Sequence, residues 1–174
     1  GGFPTIASIS LHTNDSRGMA IGDLNNDGNA DVFVTNYDNV FAPNRVYLGD
    51  GTGSFSAGPP LADTRFSRDA AVGDFNEDGV LDVFVANEAA TNRIYIGDGA
   101  GGFNAPYDAG PAAEGSNAVL VADFDGDGHL DALVINSLAQ NRVYYGDGTG
   151  AFPIVYTIAG SGNGGAAASL GHLD

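Results

Sequence analysis

One short acidic pattern, Asp-x-Asn/Asp-x-Asp-Gly-x-x-Asp, occurs at three places in the chain. It puts side-chain oxygens at positions one, three, five and nine, and a glycine at position six. Calcium takes about six to eight oxygen ligands, and alternate residues of a tightly wound loop can turn their oxygens towards one centre. The glycine lets the chain reverse, so position seven can offer its backbone carbonyl. The pattern therefore predicts a loop that binds a hard divalent cation.

Three such loops are predicted to hold one Ca2+ each. Loop 1 spans residues 23–31, loop 2 residues 74–82 and loop 3 residues 123–131. The predicted side-chain ligands are Asp23, Asn25, Asp27 and Asp31; Asp74, Asn76, Asp78 and Asp82; and Asp123, Asp125, Asp127 and Asp131. The predicted carbonyl ligands at position seven belong to Asn29, Val80 and His129. Because position seven varies, we interpret the His129 side chain as an exposed bystander and not a zinc ligand.

Other kinds of metal site fit these residues less well. An EF-hand needs a bidentate carboxylate at position twelve, where this chain has Val34, Val85 and Val134. Softer metals favour His or Cys, and the chain has no Cys. Magnesium keeps several waters in a strict octahedron, so calcium is the favoured cation. A metal-free Asp-Gly turn is the alternative that the sequence leaves open.

A second block, Asn-Arg-x-Tyr-x-Gly-Asp-Gly-x-Gly-x-Phe or close to it, follows each loop at residues 44–55, 92–103 and 141–152. Its glycine-rich part is a possible second acidic site. One Asp offers too few ligands for a cation, whereas alternate glycines supply the positive φ angles of a tight turn. We therefore interpret this part as a hairpin turn.

These motifs recur with a period of about fifty residues, as in solenoids and propellers. Strands are predicted in the second repeat at residues 70–75, 82–87, 93–97 and 103–109, and no segment has helical periodicity. The second strand is apolar on consecutive residues, so both of its faces should be covered. The predicted fold is all-β, with propeller-like blades of four antiparallel strands. The repeats span approximately residues 19–66, 70–115 and 119–159, with partial repeats at 1–18 and 166–174.

The loop and the second block, in constant phase, resemble the FG-GAP or VCBS repeat of integrin α-subunit propellers and many secreted bacterial proteins. The resemblance covers essentially the whole chain as a single domain, residues 1–174. It implies calcium in the hairpin between the first two strands of each blade. It also implies a non-catalytic extracellular, secreted or cell-surface module for adhesion, ligand display or assembly.

The ends of the chain bear on its partners. Propellers of this family close with about seven blades. The three complete repeats of this chain are too few to close such a ring. Residues 5–11 correspond to a fourth strand and residues 168–173 to a first strand, and such unmatched edges invite pairing. We expect further blades of the same protein or other protein chains as partners, including end-to-end docking of copies into a fibre.

Charge bears on partners of other classes. The chain has 22 Asp and Glu against 6 Lys and Arg, a net charge of −16, so we expect no nucleic-acid partner. No apolar stretch reaches the roughly 20 residues that span a bilayer, so we expect no membrane insertion. Asn14 begins a glycosylation acceptor pattern, which favours a secreted protein.

Two alternative functions, carbohydrate binding and hydrolysis, place other demands on the residues. In a carbohydrate-binding propeller, Tyr37, Tyr107 and Tyr156 could stack on sugars, whereas the recurring Tyr47, Tyr95 and Tyr144 are expected in the core. A hydrolase would need acids outside the loops, because the loop carboxylates are committed to cations. The chain has no Gly-x-Ser-x-Gly motif, and its only histidines are His12, His129 and His172. We therefore expect no enzyme activity.

Overall fold

The computed structural model describes residues 15–37, 42–110 and 115–162. Over these three ranges the regular elements are all β-strands, and no helix is long and apolar enough to cross a membrane. The predicted terminal strands, the acceptor Asn14 and the histidines His12 and His172 lie outside the described residues.

Three four-stranded sheets follow one another along the chain. Sheet 1 contains β1 (Ser16–Gly22), β2 (Asp31–Asn36), β3 (Arg45–Gly49) and β4 (Phe55–Ala57). Sheet 2 contains β5 (Ser67–Gly73), β6 (Asp82–Asn87), β7 (Asn92–Tyr95) and β8 (Tyr107–Ala109). Sheet 3 contains β9 (Ser116–Ala122), β10 (Asp131–Asn136), β11 (Gln140–Tyr145) and β12 (Ile154–Gly162). Strands lie in chain order and pair antiparallel, which confirms the all-β prediction.

The observed strands differ from the predicted ones mainly at their ends. The second strand of sheet 2 has the predicted bounds, but the first ends at Gly73 instead of Phe75. The amide of Phe75 donates to Asp82 Oδ2 at 2.9 Å, so Phe75 already belongs to the loop. The fourth strand is shorter than predicted, with a single bridge from Gly97 to Phe103 ahead of it.

Consecutive sheets pack against each other through their first strands, β1 against β5 and β5 against β9. One apolar cluster joins Phe33 of sheet 1 to Val83 and Val85 of sheet 2. A second cluster joins Phe84 of sheet 2 to Val134 of sheet 3. Sheet 2 is thus enclosed on both sides, and every residue of β6 is buried, as predicted.

Aromatic rings repeat the same contact at both junctions between sheets. Phe33 meets Tyr95 edge to face with ring centroids 5.7 Å apart, and Phe84 meets Tyr144 in the same way at 5.5 Å. Such pairs contribute about 0.5–1.5 kcal/mol beyond the burial of their area. Tyr47, Tyr95 and Tyr144 are all buried, which confirms their predicted place in the core.

The glycine-rich turn of each following sheet docks on the loop before it. The amide of Gly101 donates to the carbonyl of Leu24 at 3.1 Å, and Gly150 donates to Phe75 at 2.8 Å. A Cβ built on Gly101 would lie 2.7 Å from Leu48 Cδ2 of sheet 1. Gly53 holds the same place in sheet 1, is exposed, and has no described neighbour within 4 Å of such a Cβ.

We predict that Gly101→Ala destabilises the protein more than Gly53→Ala. Both glycines have positive φ, 80° and 95°, so both variants carry a backbone penalty of about 1–2 kcal/mol. Only Gly101→Ala adds overpacking against sheet 1, which costs about 1–3 kcal/mol more. Urea unfolding of the two variants measures the difference. Equal losses would contradict the docking of this turn on the preceding sheet.

Candidate metal centres

Each acidic loop connects the first and second strands of its sheet and contains two left-handed residues. The glycine at position six is left-handed as predicted, with φ of 85°, 83° and 95° in Gly28, Gly79 and Gly128. Position four is also left-handed, which was not predicted: Asn26 has φ 56°, Glu77 58° and Gly126 82°. Asn and Gly tolerate positive φ, so Asn26 and Gly126 could have indicated a left-handed residue at position four. Glu77 at the same position of loop 2 does not suggest this conformation.

Position-one and position-five carboxylates hold each loop wound by accepting backbone amides. In loop 2, Asp74 accepts from Asp78 at 3.0 Å and from Gly79 at 2.9 Å. Asp78 in turn accepts from Val80 at 2.8 Å. Loop 1 repeats all three bonds. Loop 3 has two of them, and its Asp123 accepts the amide of Gly126 at position four where the other loops use the amide of position five. These carboxylates therefore turn inwards onto their own loop.

The position-nine aspartates, Asp31, Asp82 and Asp131, are completely buried. One oxygen accepts the amide of position two, at 2.9 Å from Leu24, 2.9 Å from Phe75 and 2.8 Å from Phe124. The other accepts the amide of the first glycine of the following turn, Gly49, Gly97 or Gly146, at 2.8–2.9 Å. Position nine, predicted only as a ligand, thus also ties the loop to the third strand.

Loop 3 brings three carboxylates close together. Asp123, Asp125 and Asp131 each place an oxygen within 4.8 Å of the others. Asp127 belongs to the same loop but is not part of this group. In loops 1 and 2 the third position is Asn25 or Asn76, whose side-chain amide donates to the position-five carboxylate at 3.0 and 2.9 Å. Every donor is an oxygen, and such a set suits a hard cation.

The pKa values in the loops show two opposing influences. Burial raises the pKa of Asp82, and the nearby carboxylates of Asp78 and Asp74 act in the same direction. Hydrogen bonds from backbone amides lower the pKa of Asp27 and of Asp123. A cation among these carboxylates would favour their ionised forms. The oxygen donor set and its charge therefore fit calcium.

The FG-GAP-like repeat family matches residues 23–85, 74–134 and 123–174. The chain belongs to the FG-GAP-like repeat family. Each match begins at the first aspartate of a loop, and the first two end in the second strand of the next sheet. One FG-GAP-like match therefore spans a loop and the junction that follows it. A comparison with curated proteins finds no match.

Neighbouring FG-GAP-like loops also contact each other through side chains. His129 Nδ1 lies 2.5 Å from Glu77 Oε1, which joins position seven of loop 3 to position four of loop 2. This hydrogen bond raises the pKa of His129. The His129 side chain, interpreted from the sequence as a bystander of the metal loop, thus has a partner in the preceding repeat that was not predicted.

The second acidic feature of each FG-GAP-like repeat is a turn, as interpreted from the sequence. Asp98 Oδ1 accepts the amides of Ala100 and Gly102 at 2.8 and 2.9 Å. Asp50 and Asp147 bond to their own turns in the same way. In each turn, one aspartate carboxylate thus holds the backbone of that turn by accepting its amides.

Asp63, Glu88 and Asp108, outside the loops, form ion pairs, whereas Asp69 accepts the amide of Val119 and burial raises its pKa. Asp63 precedes sheet 2 and lies 3.0 Å from Arg93, and Asp108 lies 2.9 Å from Arg65. A hydrogen bond from Thr91 and the two arginines lower the pKa of Asp108. A general acid would instead need a raised pKa. This cluster joins the linker before sheet 2 to β7 and β8.

The three tyrosines considered for glycan stacking have different surroundings. The Tyr37 ring lies 4.3 Å from the guanidinium of Arg68 and 5.2 Å from the ring of Phe66. Tyr107 and Tyr156 are 37% and 56% exposed, and the Tyr107 hydroxyl donates to the carbonyl of Gly150. The described residues therefore supply no observation that groups the three into one sugar site.

We predict that Asp82→Asn destabilises the metal-free protein more than Asp74→Asn. Asp82 is buried and accepts two amides, so an asparagine leaves one of them facing an NH2 group, at a cost of about 1–3 kcal/mol. Asp74 accepts its amides in a solvated loop, where water can replace a lost bond. Urea unfolding in excess chelator measures both. Equal losses would mean that position nine has no structural role of its own.

Proposed function

We propose that this chain is a calcium-stabilised, non-catalytic structural module of an extracellular protein, with its three sheets as blades of a β-propeller. One observation carries the proposal: three loops with nearly the same oxygen donors occupy equivalent places, and the first two bond directly to the next sheet. FG-GAP-like repeats are structural and adhesion-type modules, typical of extracellular and cell-surface proteins. The family therefore supports the same role.

Calcium has a physical reason to stabilise this arrangement. Each loop concentrates three or four carboxylates, which repel one another when nothing positive lies between them. Backbone amides offset part of this repulsion; in loop 2 the pKa of Asp82 is raised mainly by burial, and the carboxylates of Asp78 and Asp74 add to it. A bound cation removes the repulsion and holds the loop in the conformation that presents its position-two carbonyl to the next sheet.

The rigid stack of sheets then serves as a scaffold for adhesion or ligand display. The metal stiffens the loops and the junctions, and contact residues lie on the surfaces that the sheets support. Extracellular calcium modules bind with Kd values of about 0.1–1 mM. Calcium in that range would keep the module folded.

We predict that calcium raises the melting temperature and that chelation lowers it. Binding to the native state alone adds about 2.7 kcal/mol per site at a hundred times Kd. Differential scanning calorimetry with added calcium, added magnesium or excess chelator measures the effect, with the larger rise expected for calcium. A melting curve that is the same in all three conditions would refute calcium stabilisation.

We also predict that Asp78→Ala removes one calcium ion and that Asp98→Ala removes none. Asp78 is a predicted ligand whose carboxylate faces Asn76 and the amide of Val80. Asp98 only closes its own turn, so it is the matched control. Equilibrium dialysis gives the stoichiometry, expected as two ions against three. Loss of an ion from Asp98→Ala would show that the turn is itself a metal site.

A further inference from the structure

Loops 2 and 3 are joined by a side-chain hydrogen bond that loops 1 and 2 cannot form. We call the 2.5 Å contact between Glu77 Oε1 and His129 Nδ1 the Glu77–His129 link. The equivalent positions at the first junction hold Asn26 in loop 1 and Val80 in loop 2. The side chain of valine has no polar group, so it cannot take part in such a bond. The chain therefore offers one junction with the link and one without it.

The two junctions have the same geometry around this position. A Cβ built on Gly148, in the glycine-rich turn of sheet 3, would lie 2.6 Å from the linked nitrogen and 2.9 Å from the linked oxygen. Gly99 holds the equivalent place in the turn of sheet 2. A Cβ there would lie 3.5 Å from Val80 Cγ2 and 3.7 Å from Asn26 Nδ2. Each turn thus packs on the same two loop positions, and the side chains at those positions decide whether they bond.

Both ends of the Glu77–His129 link lie among the predicted metal ligands. Glu77 stands between the ligands Asn76 and Asp78 of loop 2. His129 is the predicted carbonyl ligand of loop 3, and its amide donates to Asp127 Oδ1 at 2.8 Å. The link therefore connects the ligand-bearing backbone of one loop to that of the next.

The backbone of Glu77 has a conformation that glutamate disfavours. Its φ is 58°, whereas the left-handed residues at the same position of loops 1 and 3 are Asn26 and Gly126, which tolerate positive φ. A residue in such a conformation persists only where its surroundings hold it. The bond to His129 and the winding of loop 2 around Asp74, which accepts the amide of position five, both do so. The link and the wound form of loop 2 therefore support each other.

We propose that the Glu77–His129 link couples calcium binding in loop 2 to calcium binding in loop 3, so that each loop binds more tightly when the other is filled. The inference rests on the proposed function. When Asn76 and Asp78 are held as ligands, the backbone between them is fixed, and Glu77 then holds His129 with its carbonyl in place. The second ion to bind meets a loop that is already ordered, which favours positive cooperativity. Loops 1 and 2, without such a bond, should be coupled less.

Hydrogen exchange read by mass spectrometry, at one fixed pH and increasing calcium, follows each loop of the full chain separately. The calcium concentration at half-protection of residues 123–131 is compared between the parent protein and Asp78→Ala, in which loop 2 is disabled. We expect a rise of about fivefold, at the low end of typical couplings because the Glu77 and His129 side chains are 53% and 34% exposed. Asp127→Ala should raise the midpoint of loop 2 by the same factor, since coupling is reciprocal. Unchanged midpoints would overturn the proposal.

Variants of the link separate it from the general effect of charge. Glu77→Asn and His129→Val each copy the residue that the chain carries at the first junction, so both should fold. In either background, adding Asp78→Ala should no longer raise the midpoint of loop 3, because the bond that transmits the effect is gone. Comparing the two shifts cancels the direct effect of the lost Glu77 charge. A shift as large as in the parent background would overturn the role of the link.

Transplanting the pair to the first junction tests whether the link is sufficient. Asn26→Glu combined with Val80→His places the same two side chains on loops 1 and 2. Asp78→Ala should then raise the midpoint of loop 1 by about the factor seen for loop 3, and by less when Asn26→Glu is present alone as the matched control. No gain over this control would overturn the proposal.

Equilibrium dialysis of the same proteins distinguishes failure of the link from failure of the proposed function. Three bound ions in the parent protein, with midpoints in loop 3 that ignore the state of loop 2, would overturn the coupling and leave the calcium-stabilised module standing. No bound ion would overturn both. Three bound ions with a coupling that Glu77→Asn removes would support both.

Discussion

The repeat depends on the two hydrogen bonds that the buried aspartate at position nine accepts from backbone amides. Through its two oxygens, Asp82 holds the amide of Phe75 in the loop and the amide of Gly97 at the end of the third strand. The carbonyl of Phe75 then accepts the amide of Gly150 from the next sheet. One carboxylate thus connects loop, sheet and neighbouring sheet, and a buried charge of this kind is tolerated only because both oxygens are satisfied.

Position two is the point where the metal loop and the core meet. In loop 1, Leu24 donates through its amide to Asp31, accepts through its carbonyl from Gly101 and buries its side chain between sheets. The winding of the loop and the packing of one sheet on the next are therefore coupled through this residue. A cation bound in the loop, as proposed, would stabilise a core that it does not touch.

The repeats are similar but not interchangeable, and their differences lie at the junctions. Glu77 and His129 join loops 2 and 3 directly, whereas loop 1 has Asn26 at the same position as Glu77. Leucine meets glycine at both junctions between sheets, and the equivalent positions are Ala30 in sheet 1 and Ala122 in sheet 3. Such pairwise adjustments are expected where close packing makes each side chain depend on the one it faces.

The sequence by itself determined the three repeats, the all-β fold, the loops with their oxygen donors and the glycine-rich turns. These features follow from residue types at short, fixed spacing. Only the tertiary structure decided that Asp82 is buried and bonds the loop to the third strand. The tertiary structure likewise determined that Glu77 is left-handed and that His129 has a partner 52 residues away. It also decided that the first strand stops at Gly73, because the amide of Phe75 is taken by Asp82. Contacts between residues distant in sequence leave no periodic signal, so they emerge only when the sheets are packed.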